Sequence, residues 1–397
     1  MAHVVPDGFS LAGLHCGIKR NATRNDLSLV VCDGPTVAAG TYTTNKVFAA
    51  PVGWDRAHTP SDHVRVLAIN SGNANACTGA RGDDDCRAMA EAAAATCGAT
   101  ADDALVLSTG IIGEFLPLAK ISAGIKAAAA QLGDDEASLV AAAQGMMTTD
   151  TVHKLASRRV TAGGAKLQLT GMAKGAAMIG PKMATMLGVV MTDARLTPES
   201  AQTALRAAVA DSFNCISVDG HMSTNDTVLL LASGTACDAP LAGDALADFQ
   251  AALDVVCQEL ARAIPGDGEG ATHLVTIDVT GGANRAAAHT IAKTIAESPL
   301  VKTAIAGADP NWGRIVSAAG YADTAFDPRR CTLHVNSYLL YRHGTPVGFD
   351  AAAVSAAIRD NRDTKIELDC GSGEASCRFW TTDLTAEYVR LNADYHT

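Results

Sequence analysis

The sequence predicts a layered α/β protein, and three observations carry that expectation. Short apolar or β-branched runs of strand length alternate with longer Ala-rich stretches of helical spacing through most of the chain. Gly, Asp, Asn and Pro clusters separate them. One junction, Ala184-Thr185, sets a small residue and a hydroxyl at the foot of an apolar, partly β-branched run, Met186 to Met191. With 397 residues, 48% of them apolar, there is material for two domains or one large one with a sizeable core. Aromatics are only 4%, so that core is built from small side chains at closely approaching elements. No internal repeat, low-complexity segment or obvious linker is visible.

Charge and cysteine usage exclude several functions. The net charge of −11 speaks against nucleic acid or an anionic membrane surface as partner. An anionic small substrate needs a local positive group against that background. The eleven cysteines are odd in number and contain no C-x-x-C pair. They are expected to be reduced thiols of a cytoplasmic protein, with neither a disulfide framework nor a zinc site. The first twenty residues lack a basic segment followed by an apolar run, and no apolar stretch reaches 18 residues, so neither a signal peptide nor a membrane span is expected.

In chain order, strands are expected at Leu27–Cys32 and Ala38–Thr43, separated by the turn signal Asp33-Gly-Pro, and at Val64–Ile69. The last runs into Asn70-Ser-Gly-Asn-Ala-Asn-Ala-Cys-Thr-Gly79, a polar loop that is either a solvated turn or the wall of a site. Asp83–Cys97 reads as a helix with acidic residues in its first turn. A short strand Ala104–Leu107 leads to Ser108-Thr-Gly-Ile-Ile-Gly113, a turn whose N–H groups can face a developing negative charge. Helices follow at Leu118–Leu132 and Ala137–Met146, then a hairpin of Arg158–Thr161 and Lys166–Thr170 around Gly163-Gly164.

The stretch from Lys174 to Asp193 has two halves of opposite character. Lys174 to Lys182 is Gly-rich and interrupted by Pro181, the composition of a loop. A buried strand follows from Met186. A Thr hydroxyl is a poor nucleophile without an adjacent base. Cutting the Ala184–Thr185 bond creates one, because a free α-amine has a pKa of about 7.7–8.0. Most threonines at the start of a strand are structural, and these residues alone do not decide the matter.

Beyond it, Thr197 caps a helix reaching about Phe213, with Pro198 in its first turn. Val218-Asp-Gly-His-Met-Ser-Thr-Asn-Asp-Thr-Val228 is a polar constellation before the strand Val228–Ala232. Asp219, Asn225 and Asp226 lack the alternation of a calcium loop, so no metal is expected. A helix spans Ala245–Ile264. Gly266-Asp-Gly-Glu-Gly-Ala-Thr272 feeds the strand Leu274–Thr280 rather than a helix, which weakens a phosphate-loop reading and leaves Glu269 as its notable residue. A turn at Gly281–Arg285, a helix at Ala286–Glu297 and strands near Cys331–Asn336, Lys365–Asp369 and Cys377–Thr381 complete the pattern.

Lys174-Gly-x-x-Met-Ile-x-Pro-x-Met-Ala-Thr-Met-Leu resembles the processing site of the ornithine acetyltransferase family, the bifunctional glutamate N-acetyltransferases of arginine biosynthesis. Asn70–Gly79, Thr109-Gly110, Met147-Thr-Thr-Asp-Thr151, Ser298-Pro-Leu-Val-Lys-Thr-Ala, Asp309-Pro-Asn-Trp-Gly-Arg314 and the tail from Tyr388 to Thr397 resemble further motifs of that family, in its order, so that the likeness runs from about Asp26 to Thr397. It implies an αββα sandwich like that of N-terminal nucleophile hydrolases, and a chain that cuts itself into residues 1–184 and 185–397. It further implies Thr185 as nucleophile, Thr109 and Gly110 as oxyanion hole, and Thr148, Lys174, Glu269, Asn392 and Thr397 at the substrate. The implied reaction moves an acetyl group from N²-acetylornithine to glutamate by a ping-pong cycle without a cofactor. A bifunctional member also takes acetyl-CoA. The implied assembly is an α₂β₂ heterotetramer.

On electrostatic grounds Lys174 is expected to face the substrate's α-carboxylate and Glu269 the distal amine of ornithine. Three positions depart from the family pattern: His273 where Lys is common, His221 where an acid is common, and Lys182 where Asn is common. They bear on substrate preference and on acetyl-CoA use. The rival functions are a self-processed aminopeptidase or amidase, a side-branch ornithine acetyltransferase of secondary metabolism, and an unprocessed binding protein with a merely structural Thr185.

Overall fold

The structure, a computed structural model, describes residues 3–180 and 186–394. Ala184, Thr185, Lys182 and Thr397 lie outside the described residues. The first part of the chain forms β1 (Phe9–Leu14), β2 (Leu27–Tyr42), α1 (Ala50–Ala57), β3 (Ser61–Asn73), α2 (Gly79–Ala94), β4 (Ala104–Ile111), α3 (Leu118–Ala129), α4 (Glu136–Met146), β5 (Lys154–Ala162) and β6 (Ala165–Lys174). After it come β7 (Leu187–Thr192), α5 (Pro198–Ala210), β8 (Thr227–Ala232), α6 (Gly243–Gly266), β9 (Leu274–Gly282), α7 (Arg285–Glu297), α8 (Pro299–Ala306) and α9 (Trp312–Gly320). The last elements are β10 (Thr332–Val335), β11 (Tyr338–Arg342), β12 (Thr345–Pro346), α10 (Ala351–Arg359), β13 (Asp363–Asp369), β14 (Ala375–Thr382) and α11 (Ala386–Ala393).

One sheet runs β4-β3-β2-β8-β7-β6-β5, with β1 also paired to β2. It has two leaves joined by the long β2. The start of β2 pairs with β1 and β3, and its end with β8. Alternation along the strands sorts side chains into layers. Leu67 and Ile69 of β3 and Leu105 and Leu107 of β4 share one apolar cluster with Val189 and Met191 of β7 and Leu229 and Leu231 of β8. The intervening Val66, Ala68 and Val106 pack on Cys86 and Met89 of α2 and Ile121 and Ile125 of α3. On the other leaf, Val190 and Leu230 pack on Leu205 and Val209 of α5 and Leu253 and Leu260 of α6. The order is therefore helix, sheet, sheet, helix, as the resemblance implies. Each fully buried Leu, Val or Ile in these layers contributes about 1.5–3 kcal/mol.

A second sheet, β12-β11-β10-β13-β9-β14, is one-sided. Val275, Ile277 and Val279 of β9 bury against Ile291 and Ile295 of α7 and Ile358 of α10. The alternate residue Asp278 binds Arg378 on the open face. Among the described residues no helix is long and apolar enough to cross a membrane.

Three local expectations are corrected. The two strands expected on either side of Asp33-Gly-Pro are one strand, because the turn residues are absorbed as an irregularity between Val31↔Val66 and Thr36↔Val64. The expected turn after Leu107 is strand as far as Ile111, since parallel pairing continues through Ser71↔Thr109 and Gly72↔Gly110. Lys174 is not on a loop. It ends β6, opposite Leu187 of β7, and the connection between them contains Ala184-Thr185.

Candidate active site

A cavity of about 300 Å³ opens where the two leaves and the last helix meet. Its lining includes Thr109 and Gly110 of β4, Thr148 and Thr149 of the loop before β5, Lys174 of β6, Glu269 and Asn392. Every proposed site residue within the described chain is therefore at one place. Asp219, His221 and Tyr388 also line it, with Ala177 and Met178.

Thr109 is 2% exposed. Its Oγ1 accepts a hydrogen bond of 3.2 Å from Lys174 Nζ, which leaves the hydroxyl proton of Thr109 free to point into the cavity. Gly110 has φ +135°, and an added Cβ would lie 2.3 Å from the carbonyl carbon of Gly72. Only glycine permits this close passage of β4 against β3. Lys174 is itself buried. Burial pushes its ammonium pKa down, and the charges of Asp150, Asp226 and Glu269 partly offset that.

Asp150, an unassigned member of Met147-Thr-Thr-Asp-Thr151, is the hub below the cavity. One oxygen accepts from Gly175 N at 2.6 Å and from Lys154 Nζ at 2.7 Å, and the other from Thr148 N at 2.9 Å. It ties the Thr148 loop to the start of the Gly175–Gly180 loop. Burial alone would raise its pKa, but the Lys174 and Lys154 charges and these donors hold it below the usual carboxylate range. Asp219 fixes the other end of that loop, accepting from Met178 N at 2.6 Å and Ile179 N at 2.9 Å. Tyr388 of α11 donates to Asp219 at 3.2 Å.

Glu269 is anchored through its own N–H to Ala176 O at 2.9 Å, and its carboxylate accepts from Asn392 Nδ2, also at 2.9 Å. The neighbouring Gly270, at φ +66°, brings this loop so near α11 that a Cβ would sit 2.4 Å from Tyr388 N. The sequence Gly-Glu-Gly thus serves close approach to a helix, not a phosphate.

The Asn70–Gly79 segment is not a simple solvated turn: its Gly72 and Asn73 line a second, adjoining cavity, and its other polar groups are bonded within the fold. Asn70 Oδ1 accepts from Ser108 Oγ at 2.6 Å, Ser71 Oγ donates to Gly145 O at 2.6 Å, and Asn75 Nδ2 donates to Gly82 O at 2.8 Å. These buried bonds brace the backbone beside Thr109. Asn225 belongs to the same bracing, donating to Ala74 O at 2.7 Å and Ser108 O at 2.8 Å. Asp226 accepts from Met186 N at 3.1 Å. Of the departures, His221 lines the cavity. His273 instead sits in a buried network with Asp383 and the carbonyl of Ile358.

A second cavity, about 520 Å³, adjoins the first through Thr148 and Thr149. Among the described residues, Lys19, Arg20, Arg24 and Lys120 line it against one acid, Glu114. Burial and the Arg24 charge bring the Lys19 pKa down to about 8. Lys19, Arg20 and Arg24 share one short stretch, but Lys120 and Glu114 come from about a hundred residues further on, so the grouping as a cavity was not legible in the sequence.

Comparisons with known proteins agree with the geometry. The ArgJ family profile matches residues 10–397. A protein of Rhodopirellula baltica named arginine biosynthesis bifunctional protein ArgJ is 46% identical over 399 residues, covering 100% of this chain and 97% of its own. One of the same name from Thermobifida fusca is 44% identical over 398 residues and is covered in full. A crystal structure of the Bacillus halodurans protein of that name is 40% identical with a TM-score of 0.50, and covers 51% of this chain and 96% of that one. A profile match over nearly the whole length, near-complete relatives above 40% identity and a cavity that gathers the expected side chains lead to one conclusion: this chain belongs to the ArgJ family.

Proposed function

We infer that this chain is a glutamate N-acetyltransferase of arginine biosynthesis that carries the acetyl group on Thr185. The observation that supports it best is the convergence of Thr109, Gly110, Thr148, Lys174, Glu269 and Asn392 on one cavity, beside the β6–β7 connection that holds Thr185. After cleavage between Ala184 and Thr185, the Thr185 amine takes the hydroxyl proton as Oγ1 attacks the acetyl carbonyl of N²-acetylornithine. The Thr109 hydroxyl and the Gly110 N–H face the resulting oxyanion, and Lys174 holds the Thr109 hydroxyl in place. Collapse returns the proton to the departing nitrogen and releases ornithine. The glutamate amine then attacks the acetyl-Thr ester, and Thr185 is restored. The Glu269 carboxylate, steadied by Asn392, is suited to the distal ammonium of ornithine. The reaction balances with amino-acid substrates alone, so no cofactor is invoked.

Acetyl-CoA is the proposed second donor. The basic cavity around Lys19, Arg20, Arg24 and Lys120 supports this, since it supplies positive charge for phosphates beside the acetyl site in an otherwise acidic protein. No observation favours the amidase or binding-protein alternatives.

The test is intact mass spectrometry with a transfer assay. Active protein should be two fragments, residues 1–184 and 185–397, and T185A should stay whole and inactive. A single uncut chain with full acetyl transfer would refute the reading.

A further inference from the structure

A ping-pong transfer sets this cavity a problem of charge. The group that leaves in the first half-reaction carries a distal ammonium, and the acceptor that enters in the second carries a distal carboxylate. Glu269, held by Asn392 Nδ2 at 2.9 Å, suits the first and repels the second. Among the described residues that line the cavity, Lys174 and His221 are the two that can carry positive charge. Lys174 is buried and donates to Thr109 at the reacting end. His221 belongs to the same wall as Glu269. Its backbone N–H donates to Asp219 Oδ1 at 3.1 Å, and the Tyr388 hydroxyl donates to Asp219 Oδ2 at 3.2 Å. The Tyr388 carbonyl then accepts at 3.0 Å from the same Asn392 amide that holds Glu269.

The backbone at His221 is pinned, and the ring is not. Gly220, at φ +74°, turns the chain just before it, and Gly180 passes so near that an added Cβ would lie 2.4 Å from the Gly220 carbonyl carbon. The His221 side chain is exposed to the cavity mouth, and its ring nitrogens have no hydrogen-bond partner among the described residues. Histidine is the side chain suited to both substrate charges. Its ring N–H donates to a carboxylate, an arriving carboxylate favours the protonated ring, and a neighbouring ammonium favours the neutral one. We propose that His221 selects the acceptor, its ring donating a hydrogen bond to the side-chain carboxylate of the incoming glutamate and offsetting the repulsion from Glu269. This rests on the reading of the cavity as the acetyl-transfer site and names the group that admits the second substrate. His221 makes and breaks no covalent bond in the transfer. When its ring changes charge, the proton is exchanged with solvent.

The experiment compares glutamate with glutamine, its uncharged near-isostere, as acceptor of the acetyl group from N²-acetylornithine. It uses the purified wild-type enzyme, H221Q and H221K. Wild type should prefer glutamate by kcat/KM. H221Q should lose about 10-fold of that preference, through a KM for glutamate that rises more than the KM for acetylornithine. About 10-fold is the low end for a charge-assisted hydrogen bond, because water screens an exposed ring. H221K brings back a cation and should restore the preference. A residue that only shapes the loop would change both acceptors alike and would not be rescued by lysine. An unchanged glutamate-to-glutamine ratio in H221Q, or a wild type that takes glutamine as readily as glutamate, overturns the role of His221 and leaves the acetyl-transfer reading standing. Wild type that transfers to neither acceptor overturns both. The wild-type ratio needs no variant, and H221N repeats the comparison if H221Q does not fold.

Discussion

Lys174 illustrates how position revises chemistry. Lys174 is expected to face a substrate carboxylate, and it does line the cavity. At the end of β6 it is buried and donates to Thr109. Its loss therefore disturbs the oxyanion hole as well as the local charge. T109A should lower kcat by about 10²–10³, the usual effect of removing one oxyanion donor. K174A should lower it by about 10–150-fold, the worth of a charge-assisted hydrogen bond. Because the two act through one contact, the double variant should be little worse than T109A alone. Steady-state kinetics on processed protein checks this, and additive losses would separate the two residues. Arg20 and Lys120 stand apart from that machinery. R20A/K120A should raise the KM for acetyl-CoA several-fold and leave transfer from acetylornithine unchanged. Equal effects on both donors would detach the basic cavity from the thioester.

At the scale of elements, Asp150 joins the loop after α4 to the end of β6. Removing one partner of a buried ion pair typically costs about 3–5 kcal/mol, so D150N should melt well below wild type in denaturant. The pH dependence has a definite sign. The folded carboxyl is held below its unfolded value, so its stabilisation is present above about pH 4 and is lost as pH falls below that. D150N should be the less acid-sensitive protein, with a flatter stability curve below about pH 4. The capped helices behave more simply. Thr197 accepts from Ser200 N and Asn284 from Ala287 N, and both helices begin where the side chains allow.

At the scale of the molecule, the proposed cut falls inside a sheet. β6 belongs to residues 1–184 and β7 to residues 185–397, and they pair over six positions from Leu169↔Thr192 to Lys174↔Leu187. β2 and β8 are paired across the same division over another six, from Val37↔Ala232 to Tyr42↔Thr227. The fragments should therefore stay together through high salt and dilution, separating only in denaturant. Sedimentation should report the proposed α₂β₂ assembly, and a particle of 40.7 kDa at micromolar concentration would contradict it.

Much of this was legible in the residues. Period and composition gave the alternating strands and helices, because those signals are local, whereas Thr185, Thr109-Gly110 and Glu269 were marked as a site by the resemblance and not by their local pattern. A strand's apolar alternation or a hydroxyl before a buried run is written within a few neighbours. The tertiary structure alone decided which partners those groups meet. Strand pairing carried β4 through an expected turn and turned Asp33-Gly-Pro into an irregularity, since ladder bonds outweigh a local turn preference. It also buried Asn70, Ser71 and Asn225 as braces and joined Asp150 to Lys154. Burial and long-range contact depend on segments a hundred residues apart, and no local pattern encodes the desolvation that sets the charge of a carboxyl or an ammonium.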